Sequence, residues 1–249
     1  MLVDEMPIVS FQAPPVSPPA ARAGGHGPAP RPGAPQVFNI RVALSADRRA
    51  DSGALVRRMY AWRGYAFESG AATADKLTLY AETGGELVGT MSLCLDRGND
   101  LPADENFGDR LAILRREGRR LCEPSRLAID AGMSKRVFAA LIHISYLYAC
   151  KLHGFTDYVI EVNPRHVAFY RRMLGFTDFG GERACSRVGA PAVLLRLPLD
   201  QMGAQIGKWA GSFGQHAGER SFYPWFFPSR DEPGISARLR ALCQGRERA

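Results

Sequence analysis

Nowhere does this 249-residue chain offer the ~20 consecutive apolar residues that a membrane-spanning helix requires. Cysteine is too sparse and too scattered to build a scaffold. Cys94, Cys122, Cys150, Cys185 and Cys243 are odd in number and include no C-x-x-C pair. That pattern argues against a disulfide framework and a zinc site, and no metal is expected. No secretory leader is expected: Asp4 and Glu5 stand where one carries positive charge, and Pro7 interrupts the apolar residues that follow. The expected location is the cytoplasm. No internal repeat, helix-turn-helix or zinc-finger pattern organises the basic residues, so no nucleic-acid partner is expected. What is present is an ordinary globular composition, 46% hydrophobic and 23% charged, with a net charge of +7. That excess suits an acidic partner, whether nucleic acid, a membrane surface met peripherally or an acidic carrier protein, and charge alone does not choose among them.

Residues 1–36 hold nine of the seventeen prolines and read as a disordered Pro/Ala/Gly-rich tail. Val37 to Leu44 alternates as a first strand, and Ser45 is a suitable N-cap for a helix over Ala46 to Trp62. Gly64 to Lys76 reads as a loop able to cover a site. Two β-rich runs, Leu77 to Glu82 and Glu86 to Leu95, flank a Gly-Gly turn and form a hairpin. A helix from about Asn106 to Glu117 ends among Arg115, Arg116, Arg119 and Arg120. Cations at a helix C-terminus are favourable in themselves. Four within six residues also form a candidate contact for phosphate or an acidic partner.

The stretch Leu121 to Phe176 is the centre of the chain. It reads as strand (LCEPSRLAID), helix (Val137 to Leu152), strand (Tyr158 to Val162) and helix (Arg165 to Met173, closed by Gly175). Two strands joined through a helix pair in parallel with a right-handed crossover. Function is then expected at the carboxyl ends of these strands, or where they part. Strand alternation puts Glu123 and Ser125 on one face and Arg126 on the other. Pro124 removes a backbone donor and fits a strand that splays from its neighbour. Cys122, beside Glu123, is either a nucleophilic thiol or a buried core cysteine, the commoner state. Ala192 to Leu197 is a last strand. Residues 199–249 read as a C-terminal extension packing on the domain, with short helices around the aromatic run Ser221 to Pro228.

That order of elements, with N-P-R-H-V-A-F-Y-R-R-M-L-G-F near its end, resembles the GNAT superfamily of N-acyltransferases. Within it, Glu123-Pro124-Ser125-Arg126 resembles the E-x-S-R strand of acyl-homoserine-lactone synthases and, more closely, of FeeM-type N-acyl amino acid synthases. Leu101-Pro102-Ala103-Asp104, Arg115 to Arg119 and Val56 to Tyr65 fit the same pattern. The resemblance implies an α/β fold with a GNAT-like mixed central sheet flanked by helices over residues 37–198. It implies transfer of a long-chain acyl group from acyl carrier protein to the amino group of an amino acid. The donor is then the carrier's phosphopantetheine arm, with no tightly bound cofactor.

In that chemistry Glu123 is the candidate general base, with Ser125 in the same cleft; the alternative for Glu123 is a surface carboxylate paired with Arg120 or Arg126. Tyr170 is the candidate proton donor to the departing thiolate; its alternative is a core aromatic. Arg126, Asn163, Arg165 and Phe138 are candidates for substrate binding. Arg115, Arg116, Arg119, Arg120, Lys135 and Arg136 are candidates for carrier docking. His166 reads as a helix-start residue, and His143 and His153 as packing or surface residues. The glycine-rich pyrophosphate loop of acetyl-CoA enzymes is replaced by Ala131 to Ala139, with one glycine. This disfavours a CoA donor. Two alternatives remain open: a lactone autoinducer synthase, and a catalytically idle module that binds acyl carrier protein.

Overall fold

A computed structural model describes residues 6–13, 36–62, 64, 76–130, 133–185, 189–215 and 218–247. Its strands are β1 (Val9–Ala13), β2 (Gln36–Val42), β3 (Lys76–Thr83), β4 (Glu86–Leu95), β5 (Leu121–Ile129), β6 (Asp157–Val162), β7 (Thr177–Cys185) and β8 (Ala190–Pro198). The helices are α1 (Ala46–Trp62), α2 (Asp104–Arg116), α3 (Lys135–Tyr146), α4 (Pro164–Leu174), α5 (Leu199–Trp209) and α6 (Glu232–Glu247). The strands form one mixed sheet in the order β1-β2-β3-β4-β5-β6-β8-β7. Every pairing is antiparallel except β5 with β6. One face packs the main core beneath α3, α5 and α6, and the other packs smaller cores beneath α1 and α2. This is the GNAT-like mixed sheet flanked by helices.

The expected disordered tail is corrected at residues 9–13. Within residues 1–36, β1 is an ordered strand: Val9 pairs with Ile40, Phe11 stacks on Phe38, and Ile8, Phe11 and Ala13 are buried. The proline-rich composition around it masked the alternation of Val9, Phe11 and Ala13, which is enough to seat one strand at a sheet edge. Residues 14–35 and most of the expected covering loop, 65–75, lie outside the described residues.

β7 was not expected either. It is an edge strand with several exposed side chains and two register shifts, so it carries little hydrophobic signal. The long helix runs as α3 and then continues as a π-helical segment, Leu147–Leu152. Pro164 opens α4 and Gly175, at φ 85°, ends it in the left-handed conformation that favours glycine.

Beyond β8 the chain packs back on the sheet. Tyr223 Oη donates to the Leu174 carbonyl at 2.6 Å, and the Phe227 amide donates to His143 Nδ1 at 3.1 Å. His143 is buried against the rings of Phe226 and Phe227, and burial lowers its pKa. With Nδ1 accepting, the neutral ring carries its proton on Nε2, 3.4 Å from Glu232.

Candidate active site

β5 and β6 are hydrogen-bonded only at their start, Leu121 with Asp157 and Cys122 with Tyr158. Beyond that row the strands part, and the gap opens into a cavity of about 850 Å³. Two sequence features accompany the split. Pro124 cannot donate to a neighbouring strand. Arg126, at φ 51°, lies in a β-bulge where β5 gains a residue against β4 between Thr90 and Ser92.

The bulge corrects the expected facing. Glu123, Ser125 and Arg126 all line the cavity. The extra residue also resets the alternation, so Leu127 and Ile129 pack on the main core while Ala128 meets the α1 cluster. Period-two counting cannot anticipate such an insertion.

Glu123 is 3% exposed, and its Oε2 accepts the Ala103 amide at 2.8 Å, at the start of α2. The loop that supplies this donor is held by Arg115. Its guanidinium bonds Asp96 at 2.6 Å, Asp104 at 2.6 Å and Asn99 at 2.8 Å. Burial works to lower the pKa of Arg115, but the two carboxylates outweigh it and hold the group firmly protonated. The expected role of Arg115 in carrier docking is therefore corrected: its side chain is committed to this loop.

Arg119 is corrected in the same way. It bonds the buried Asp157 at 2.6 Å and the Thr156 carbonyl at 3.2 Å. Arg136 lies over the Phe11 ring and donates to the Gln12 carbonyl at 3.2 Å, tying α3 to β1. Arg116, Arg120 and Lys135 are exposed. Arg120 nevertheless leans on Phe155 and donates to Gly154.

Tyr170, from α4, lines the cavity and packs edge-on against Phe169 and Phe176. Asn163 lines it too, but its amide is largely spent on the fold. It caps α4 by accepting from the Arg165 amide and donates to the Pro191 carbonyl, both at 3.2 Å. Arg165 is exposed on the first turn of α4 and is not part of the cavity wall, which corrects its placement as a substrate contact. Phe138 is in the wall, with its ring 4.5 Å from that of Phe222. Cys122 is wholly buried, donates to the Asp157 carbonyl and has its thiol pKa pushed up by burial, so it is a core cysteine.

Three wall residues escaped sequence reasoning. His166 lines the cavity, while Asn163 performs the capping expected of it. Glu161 accepts from Asn106 at 2.6 Å. Lys76, the first residue of β3, pairs in register with Cys94, which pairs with Glu123, so three polar groups form one row across three strands. Burial, the nearby Arg126 guanidinium in second place, lowers the Lys76 pKa to about 8. Only the strand registers bring Lys76 and Glu123 together; their 47-residue separation hides it.

The wall thus has a polar mouth and an apolar interior. Asn99, Asp100, Glu105, Lys76 and Arg126 belong to the first, and Phe138, Ile142, Leu174, Phe176, Leu197 and Met202 to the second. A gap between strands leaves backbone groups without a sheet partner, able to bond an extended amide-bearing ligand.

Comparison with known proteins agrees with this geometry. The family model "N-acyl amino acid synthase FeeM" matches residues 51–198. The solved structure of FeeM, an N-acyl amino acid synthase from uncultured soil microbes, is similar at 27% identity and a TM-score of 0.62. That match covers 68% of this chain and 94% of that one. An acyl-CoA N-acyltransferase from Pseudomonas aeruginosa matches at 15% identity and TM-score 0.47, covering 65% of this chain and 98% of that one. The acyl-homoserine-lactone synthase LasI matches at 14% and 0.43, covering 66% and 90%. No curated protein sequence matches significantly. Because the family match spans more than half of the chain, the protein belongs to the FeeM family of N-acyl amino acid synthases and is an N-acyltransferase.

Proposed function

We propose that the enzyme transfers a long-chain acyl group from the phosphopantetheine thioester of acyl carrier protein to the α-amino group of an amino acid, in the cytoplasm. The observation that carries this reading is the β5–β6 split, which opens into a cavity with a polar mouth and an apolar interior. The pantetheine arm lies in the split, bonding open strand edges through its amides, and the acyl chain lies against Phe138 and the apolar wall.

The acceptor arrives as an ammonium and must lose a proton before it can attack. Glu123 takes that proton, directly or through one water, while its Oε2 keeps the Ala103 bond. The amine nitrogen then bonds to the thioester carbon, and the carbonyl oxygen becomes an oxyanion stabilised by fixed donors. Ser125 lines the cavity here. When the tetrahedral species collapses the C–S bond breaks; the nitrogen releases its second proton to water, which leaves a neutral amide, and Tyr170 donates a proton to the departing thiolate and regains one from solvent.

Lys76, with Arg126, is the cation we assign to the acceptor's carboxylate. A lysine that titrates near pH 8 is charged below that value and neutral above it. Acceptor binding should therefore weaken as pH rises through about 8. Lys76→Met should raise the KM for the amino acid by ~10-fold or more with a much smaller change in kcat. A KM that is flat from pH 7 to 9 and unmoved by the substitution would remove Lys76 from acceptor binding.

Carrier docking falls to the exposed cations Arg116, Arg120 and Lys135. Reversing Arg116 and Arg120 to Glu together should weaken carrier binding about tenfold at low salt and flatten its salt dependence. Unchanged affinity in titration calorimetry would place the carrier elsewhere. The function itself is tested by mass spectrometry of lipid extracts from cells overproducing the protein, beside a Glu123→Gln control. N-acyl amino acids present only with the wild type support it; a folded protein that yields none in either strain refutes it.

A further inference from the structure

We infer that Met202 sets the length of the acyl chain that the enzyme transfers. This rests on the reading that the apolar part of the cavity holds that chain. The wall runs from exposed residues at the mouth, such as Glu105, to Tyr158, Leu197 and Met202, which are 1%, 2% and 0% exposed. The strand register explains the depth. Cys122, Tyr158 and Leu197 form one row across β5, β6 and β8, the row where β5 and β6 are still bonded. The sheet is closed there, and a chain running inward through the split meets that row and the helix packed on it.

The helix is α5, and Met202 is its residue in the wall. Leu199 and Ile206, one turn to either side, are buried in the same core and fix the helix face. The next residue, Gly203, lies against the tip of Tyr146: a Cβ on it would fall 2.7 Å from that hydroxyl, so α5 has little room to turn about its axis there. At this end of the cavity the strands contribute Tyr158 and Leu197, and Met202 is the side chain that α5 contributes. Methionine is unbranched, and both smaller and larger apolar residues can replace it without introducing a buried polar group. The family match ends at residue 198, so α5 lies outside the matched region.

The test is competition among acyl carrier thioesters of graded chain length, with product lengths read by mass spectrometry, for wild type, Met202→Ala, Met202→Leu and Met202→Phe. Met202→Ala should shift the preferred chain longer and Met202→Phe shorter, each changing the ratio of adjacent chain lengths by about tenfold. Met202→Leu, close to methionine in volume, should melt like the wild type and shift little. If Met202→Ala does not fold, Met202→Phe against Met202→Leu still decides the direction. Active variants with the wild-type length distribution would overturn the inference while leaving the transfer reaction intact. A wild type that makes no acylated amino acid would overturn the reaction and the inference together.

Discussion

Glu123→Gln is expected to lower kcat by ~10²–10⁴-fold while leaving the fold and carrier affinity unchanged. The substitution is chosen for what it preserves. Glutamine keeps a carbonyl oxygen that can accept the Ala103 amide, which Glu123 Oε2 now accepts at 2.8 Å. It removes the negative charge and with it the capacity to take a proton. Glu123→Ala removes both, and releases the loop that Arg115 fastens through Asp96 and Asp104. If Glu123 acts as the base, the two variants share the loss of kcat, and only Glu123→Ala should lower the melting temperature. If Glu123 serves only to hold the loop, Glu123→Gln should retain near-wild-type turnover and Glu123→Ala should not. Stopped-flow transfer rates beside thermal melts for both variants separate these outcomes.

The central part of this architecture was legible in the sequence because several signals agreed there. Ser45 and the apolar spacing after it bounded α1, and the Gly-Gly turn with β-branched flanks fixed the β3–β4 hairpin. Pro124 pointed to a splayed strand, and β5 does leave β6 two residues before it. What stayed hidden depended on register or on partners distant in sequence. Arg126 could not be placed by alternation, because a bulge inserts it. Lys76 looked like the end of a loop until pairing with Cys94 set it in the row of Glu123.

The arginine cluster shows a different limit. As a sequence it is four equivalent cations, yet Arg115 and Arg119 serve carboxylates 11 and 38 residues away while Arg116 and Arg120 stay exposed. Charge density alone does not separate a structural arginine from a docking one; the separation lies in which carboxylates the fold brings within reach.

Asp157→Ala should destabilise the protein by roughly 2–3 kcal/mol, because it takes from Thr156 and from the partly exposed Arg119 and Arg196 the acceptor they share. Asp157 is 0% exposed and stands at the closed end of the split, opposite Leu121 in the only parallel pairing among the described residues. It accepts from Arg119 at 2.6 Å, Thr156 Oγ1 at 2.6 Å and Arg196 at 2.9 Å, joining α2's end, β6 and β8. Burial works to raise its pKa, but the hydrogen bonds and the two arginines outweigh it, so the folded carboxyl titrates below its ordinary value. A folded pKa below the unfolded one gives stability that is complete above the unfolded value, about 4. That stability is lost as pH falls from there through the folded pKa. The wild type should therefore lose stability on acidification below about pH 4, and Asp157→Asn should flatten that part of the profile. Urea titrations of both proteins from pH 3 to 7 read the difference directly, and parallel slopes would show that Asp157 does not carry the acid sensitivity. Because the same carboxylate holds the row from which β5 and β6 diverge, Asp157→Asn should also lower transfer activity at neutral pH. It would do so by loosening the vertex of the cavity, although its side chain is not part of the cavity wall.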